Sequence, residues 1–187
     1  MMTKNELIWK LHLAAGIGLK GELRLAALLA QLPENFDLAH LSVERLANFA
    51  HLKGGARHRF CVDFTSDTLQ QQIQRHQRDA QWVTILDAVY PAQLKEIYQP
   101  PSVLFYQGNL QCLQRPLVTF VGARQATDFS LRIINALVPE LCKREFGVVS
   151  GLAAGADSMA HLAAFHAQGS TIAVIGTGLD QVYPRQH

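Results

Sequence analysis

The chain has 187 residues, of which 49% are hydrophobic and 17% charged, and its net charge is only +2. That composition supports a packed core, excludes a disordered chain, and leaves room for one domain or two small ones. It also excludes a globally basic nucleic-acid binder, so any nucleic acid must meet a local patch or groove.

In chain order, the opening MMTKNELIWKLHLAAGIGLKGEL has an apolar stretch after Lys10. It is too short to span a bilayer, and Lys20 and Glu22 follow at once. Glu6 and the charge layout count against a signal peptide, so a cytoplasmic protein without a membrane segment is expected. Leu7, Leu11, Ala14 and Ala15 share one helical face, and Leu25, Leu28, Leu29 and Leu32 share another. Between these runs, Gly16-Ile17-Gly18 either presents backbone amides to a DNA phosphate or is a plain helical turn, the preferred reading. Pro33 and Asn35 break the pattern. Ser42 predicts a helix start and Gly54-Gly55 a helix stop. HLKGGARHRF (His51–Phe60) carries Lys53, Arg57, His58 and Arg59, as a basic loop touching phosphates or as a solvated turn. Gln70–Arg78 is polar helix or linker. No stretch here has period two, so a small all-α unit is predicted over residues 1–75.

The character changes at Trp82. Val83–Asp87 is a predicted strand, followed by a Tyr90-Pro91 turn and a short amphipathic piece, Ala92–Tyr98. Pro100-Pro101 forces extended chain, and Ser102–Gly108 is another predicted strand. From Leu117 strands and helices alternate: strand Leu117–Val121, helix Phe129–Arg144, strand Val148–Ser150, helix Ala156–Gln168 and strand Thr171–Ile175. Ile133, Leu137 and Leu141 are expected on the buried face of the first helix, and Pro139 is expected to kink it. Continuously apolar strands in this alternation predict an α/β domain over residues 76–187, with a parallel sheet covered on both faces. Three strands make a thin sheet, so the domain is expected to be incomplete at its C-terminus. Cys61, Cys112 and Cys142 are odd in number, widely spaced and without CxxC, which predicts reduced thiols rather than disulfides or a zinc site.

Each of the last three strands ends in a glycine turn: Gly122-Ala123-Arg124, Ser150-Gly151 and Gly176-Thr177-Gly178. A βαβαβ unit places these turns on one edge, where ligands of open α/β sheets bind. Glycine lets backbone N–H groups approach an anion, and the following helices point their positive ends there. Ser150 and Thr177 add hydroxyls, and Arg124 adds a fork suited to phosphate. Glycines also occur at such turns for steric reasons alone, but three on one edge, one followed by Arg, favour a phosphate groove. GTGLDQ (Gly176–Gln181) departs from GxGxxG, so no nicotinamide or flavin cofactor is expected. Asp157 and His161 lie four apart, as an acid/base pair or half a metal site, or as a first-turn Asp with a hydrogen-bonded His. The second reading is preferred because no third ligand or nucleophile is in view, and no metal is expected. Phe129 and Tyr183 are candidates for base stacking or for the core, and the core is the preferred reading for both.

YPAQLKEIYQPPSVLFYQGNL (Tyr90–Leu110), FVGARQAT (Phe120–Thr127), SGLAAGADSMAH (Ser150–His161) and TIAVIGTGLDQVYP (Thr171–Pro184) together resemble, in order and spacing, the signature blocks of the DprA/Smf DNA-processing family. The resemblance implies an extended Rossmann fold preceded by a sterile-alpha-motif-like helical domain. It also implies a bacterial cytoplasmic protein that binds and protects single-stranded DNA during natural transformation, helps load the RecA recombinase, forms homodimers and has no established catalytic activity. By the same resemblance, Gly122 and Arg124 match the phosphate-contacting GxR turn, Ser150 and Gly151 the Ser-Gly pair, and Arg185 the basic residue after the Tyr-Pro block. The chain departs from the family pattern at Asp128-Phe129-Ser130, at Ala156 and at His187. The expected DNA-contacting set is Gly122, Arg124, Ser150, Gly151, Gly176, Thr177, Gly178 and Arg185. The alternative is an enzyme acting on a nucleoside monophosphate, since phosphoribohydrolases of the lysine-decarboxylase-like group have a similar glycine-edged sheet.

Overall fold

The computed structural model describes residues 2–79 and 81–179. It forms two compact units, Met1–Tyr106 and Gln107–His187.

The first unit opens with five α-helices: α1 (Lys4–Leu13), α2 (Leu19–Gln31), α3 (Val43–Phe49), α4 (Gly54–Phe64) and α5 (Asp67–Asp79), with a 3-10 turn at Leu38–His40. A capping box starts α1: Thr3 Oγ1 accepts from the Glu6 N–H, and the Glu6 carboxylate accepts from the Thr3 N–H. Ser42 caps α3 as expected by accepting the Arg45 N–H. Leu7, Leu11, Leu25, Leu29, Leu46 and Phe60 are fully buried together. Each such side chain contributes about 1.5–3 kcal/mol of burial.

Two local expectations change. Gly54-Gly55 opens α4 instead of closing a helix, and His51–Phe60 is therefore mostly helix, not a basic loop. The chain leaves α3 through His51 at φ +58° and enters α4 through Gly54 at φ +49°. The first N–H groups of a helix need no internal partner, so glycine is tolerated there. Gly16-Ile17-Gly18 is a turn packed on α4, as the preferred reading has it. A Cβ on Gly16 would lie 2.5 Å from the Ala56 oxygen and 2.7 Å from the Phe60 nitrogen. Beside it the Ala15 N–H donates to Asp63 Oδ2 at 2.8 Å.

The rest of this unit is β1 (Gln81–Thr84), α6 (Ala92–Lys95) and β2 (Val103–Tyr106), with β1 and β2 antiparallel. The pair is folded onto α1. Trp9 stacks on Trp82 with centroids 4.9 Å apart and planes 1° from parallel. Phe105, across from Trp82, meets Trp9 edge-on at 5.3 Å. Asn5 Nδ2 on α1 donates to Asp87 Oδ1 at 2.6 Å. The secondary structure changes from helix to strand near Trp82, and the first compact unit with its apolar core runs on through it to Tyr106. β1 also ends sooner than expected. Asp87 takes the Thr84 N–H on its carboxylate and returns its own N–H to the Thr84 oxygen, which turns the chain.

The second unit is β3 (Leu117–Thr119), α7 (Asp128–Lys143), β4 (Gly147–Ser150), α8 (Ala156–His166) and β5 (Thr171–Ala173). The strands are parallel in the order β3-β4-β5. Both crossovers step the same way, and right-handed crossovers that do so put their helices on one face. Accordingly α7 packs against α8, with Ile134, Val138, Val148, Ala160 and Ala164 between them and the sheet. Among the described residues α-helices cover one face, not the two expected. The buried column of α7 is also the neighbouring one: Ile134 and Val138 are inside, while Ile133 and Leu137 are 43% and 51% exposed. The two columns lie about 100° apart on a helix, so both fit one apolar period. α7 runs on through Pro139. The three cysteines are free thiols, and burial pushes the Cys142 thiol up. No described helix is long and apolar enough to cross a membrane.

Trp9→Ala is expected to cost about 3–5 kcal/mol, the usual loss for an aromatic core residue, measured by denaturant unfolding. A cost under about 1 kcal/mol would contradict the account of the hairpin's attachment. Tyr90 is buried, its hydroxyl donates to the Pro101 oxygen at 2.7 Å, and burial pushes its pKa from 10.0 up to about 12. A raised folded-state pKa gives stability that is complete below the unfolded value and lost as pH climbs through the folded one. Stability is thus expected to fall between pH 10 and about 12, and Tyr90→Phe to remove that step in an absorbance-monitored titration.

Candidate functional site

The parallel register brings the C-terminal ends of β3, β4 and β5 to one edge. Sheet bonding continues one residue past the strands, with the Phe120 N–H donating to the Val149 oxygen and the Val174 N–H to the Ser150 oxygen, both at 2.9 Å. The three glycine turns leave from this edge.

The first turn and the start of α8 are fitted against each other. The Ala156 N–H donates to the Ala123 oxygen at 3.2 Å. A Cβ on Gly122 would lie 2.6 Å from the Ala156 Cβ, so only glycine lets this turn close. Gly155 has φ +83°, and a Cβ there would collide with the Ala123 and Arg124 carbonyls. Arg124 is thereby held at the rim, exposed to solvent. Thr127 Oγ1 accepts the Ser130 N–H at 3.3 Å and starts α7. Phe129, in the first turn of α7, is 64% exposed, so it belongs to the surface of this edge and not to the core.

The second turn is committed internally. Ser150 is buried, and its hydroxyl donates to the Phe120 oxygen at 2.7 Å, tying β4 to the end of β3. Asp157, only 8% exposed, turns back from the first turn of α8, and its Oδ2 accepts the N–H groups of Gly151 and Ala153, each at 3.2 Å. Leu152 stands between these two donors at φ +60°, which aims both amides at one point. Ser158 Oγ donates to the Ala153 oxygen at 2.6 Å and closes the loop.

Among the described residues the third turn is exposed. Gly176, Thr177 and Gly178 are exposed, and nothing lies within 4 Å of a Cβ built on Gly176. Gly151 reaches toward this side, its Cβ position 3.9 Å from the Val174 oxygen. Arg185 and Tyr183 lie outside the described residues.

Asp157 and His161 do not form the pair that their spacing allows. His161 Nδ1 meets Thr171 Oγ1 on β5 at 2.6 Å, while Asp157 serves the loop. Among the described residues no group of three or more His, Cys, Asp or Glu side chains is placed to hold a metal. The structure thus brings Gly122, Arg124, Ser150, Gly151, Gly176, Thr177 and Gly178 to one edge, but in the second turn Ser150 is buried and the amides of Gly151 and Ala153 are already bonded to Asp157. Sequence reasoning missed Gly155, Ala153 and the anchoring role of Asp157. The available signal was an Asp two residues after a glycine that ends a loop.

Comparison with known proteins bears on this edge. The family model for DNA recombination-mediator protein A matches residues 81–187. The DNA processing protein DprA of Streptococcus pneumoniae (strain ATCC BAA-255 / R6) is 47% identical over 102 residues, which are 54% of this chain and 36% of that one. The DNA processing protein DprA of Bacillus subtilis (strain 168) is 40% identical over 106 residues, 56% of this chain and 36% of that one. Protein Smf of Synechocystis sp. (strain ATCC 27184 / PCC 6803 / Kazusa) is 43% identical over 122 residues, 63% of this chain and 31% of that one. The chain therefore aligns in sequence with about a third of the length of these relatives. The X-ray structure of DNA processing protein A (DprA) from Streptococcus pneumoniae matches with a TM-score of 0.81 and 31% identity, over 98% of this chain and 61% of that one.

Gly155→Ala is expected to destabilise the second unit by about 1–3 kcal/mol, the cost of a non-glycine residue forced into such a backbone conformation. A denaturant midpoint equal to the parent's would contradict the close approach of this loop to Ala123 and Arg124.

Proposed function

The chain belongs to the DNA recombination-mediator protein A family, the DprA/Smf DNA-processing proteins, and from that premise we propose that its sheet edge binds the backbone of single-stranded DNA. The observation that carries this reading is the exposed Arg124, held on a glycine turn that admits no Cβ at Gly122 or Gly155. A guanidinium at a fixed position beside backbone amides suits a phosphate oxygen. The exposed turn Gly176-Thr177-Gly178 extends the same edge, and Phe129 supplies a ring on which a base stacks; Arg185, outside the described residues, is the second cation that the family resemblance implies.

In this reading the second unit is the start of an extended Rossmann-like domain, and the helical unit is its sterile-alpha-motif-like companion. Within the longer protein the edge protects single strands in the bacterial cytoplasm during natural transformation and presents them to RecA, with two copies acting together. Binding without catalysis fits the chemistry of the edge. Asp157 is occupied by two amides and His161 by Thr171, which leaves neither as an acid or base toward a ligand. That commitment weighs against the nucleoside-monophosphate enzyme.

None of the contributing groups reads a base edge, so affinity is expected to be nearly independent of sequence. Each neutralised phosphate on a single strand should contribute about −0.7 to the slope of log K against log salt. Arg124→Ala is expected to lose about 1.5–3 kcal/mol of binding to a poly-dT oligonucleotide, the range for a hydrogen bond to a charged group. Fluorescence anisotropy across salt concentrations, with single-stranded and duplex forms of one sequence, tests the proposal. A preference for duplex, an affinity indifferent to salt, or an unimpaired Arg124→Ala would overturn it.

A further inference from the structure

We propose that Asp157 is a positioning residue of the DNA-binding edge, an internal anion that fills the amide nest of the second turn and thereby sets the place of Arg124. The proposal rests on the single-strand reading above.

The nest is complete without a ligand. Gly151 and Ala153 aim their N–H groups at one point, and the Asp157 carboxylate oxygen stands there at 3.2 Å from each. A Cβ on Gly151 would come within 3.0 Å of that same oxygen, so the turn is shaped around the carboxylate. A phosphate oxygen needs the same two donors and carries the same charge, so it is excluded while Asp157 is in place. The second turn is thus removed from the set of phosphate contacts, and the DNA backbone is left to the turns on either side, Gly122–Arg124 and Gly176–Gly178.

The same bonds reach Arg124. Asp157 fixes Gly151–Ala153, and Ser158 Oγ locks the Ala153 oxygen at 2.6 Å. That loop delivers Gly155 against the Ala123 and Arg124 carbonyls and the Ala156 N–H to the Ala123 oxygen. Without the carboxylate, the Gly151 and Ala153 N–H groups lose their common acceptor, and the loop that backs the Arg124 turn loses its form. Asp157 touches no ligand in this account. It acts through Arg124.

Two measurements on the full chain test this. The first uses hydrogen exchange without DNA. Slow exchange of the Gly151 and Ala153 amides is expected in the parent and in Asp157→Asn, whose side-chain oxygen accepts both bonds. Fast exchange is expected in Asp157→Ala, with Ala156 also released and the β4 amides of Val148 and Val149 still protected. Unprotected Gly151 and Ala153 in the parent, or loss of β4 protection in Asp157→Ala, overturns the proposal, the latter by making the role merely structural. The second measurement is poly-dT titration. Asp157→Ala is expected to weaken binding about tenfold, and Asp157→Asn to stay within about twofold of the parent. On an Arg124→Ala background, Asp157→Ala is expected to add less than about twofold, because the two residues act in series. Tighter binding by Asp157→Ala, or additive effects, overturns the positioning role. A parent that does not bind poly-dT sinks the single-strand reading instead, and the exchange measurement still decides whether Asp157 holds the loop.

Discussion

A carboxylate taken out of water must find donors to replace those it gives up, and Asp157 finds them in two backbone amides of the loop before its own helix. This exchange is local in sequence, spanning Gly151 to Asp157, yet it organises the edge. The amides converge because Leu152 adopts a left-handed backbone, and that strain persists only where the surroundings over-determine it. Once the loop is set, the glycine that ends it packs on the first turn, and α8 begins with its N–H already paired to Ala123. The helix N-terminus that could have met a ligand is thus largely satisfied by the protein. Exposed at the edge, among the described residues, are an arginine on a rigid mount and a second glycine turn.

The helical unit follows a comparable logic with different chemistry. Trp9 offers one face to Trp82 and an edge contact to Phe105, so a short hairpin that could not stand alone is held on α1. Buried Glu22 on α2 meets His12 Nδ1 at 3.1 Å and accepts from Ser102 Oγ, which joins α1, α2 and the approach to β2. The polar network of Asn5, Thr84 and Asp87 does the same at the far end of β1. Each unit therefore uses a buried carboxylate as a joint, Asp157 between α8 and the loop just before it, and Glu22 between segments far apart in the chain.

Much of this was legible in the sequence, for physical reasons. Ser42 marks a helix start because its hydroxyl has one good partner, the N–H three residues on, and the structure places it there. The three parallel strands stand out because apolar runs of that length between amphipathic helices have few other uses. The shared edge of the glycine turns follows from topology alone. What stayed hidden was decided by tertiary contact. Ile133 and Ile134 are equally apolar, and only the position of α8 and the sheet selects the second for burial. Two glycines at 54 and 55 suit a helix end or a helix start, and the choice rests on the path from His51. Asp157 reads as no more than a first-turn Asp because nothing in its spacing shows that Gly151 and Ala153 turn their amides toward it. Ser150 looked like a donor to a ligand, and the nearby end of β3 takes that hydroxyl instead.

The central claim is that anions meet the edge at its first and third turns and not at its second. Amide chemical-shift mapping of the isotope-labelled chain during addition of a short oligo-dT tests it most directly. The account predicts the largest shifts at Gly122–Arg124 and Gly176–Gly178, with the amides of Gly151 and Ala153 nearly unmoved. Shifts that peak at Gly151 and Ala153, or that fall on the helical unit and spare the sheet edge, would contradict it.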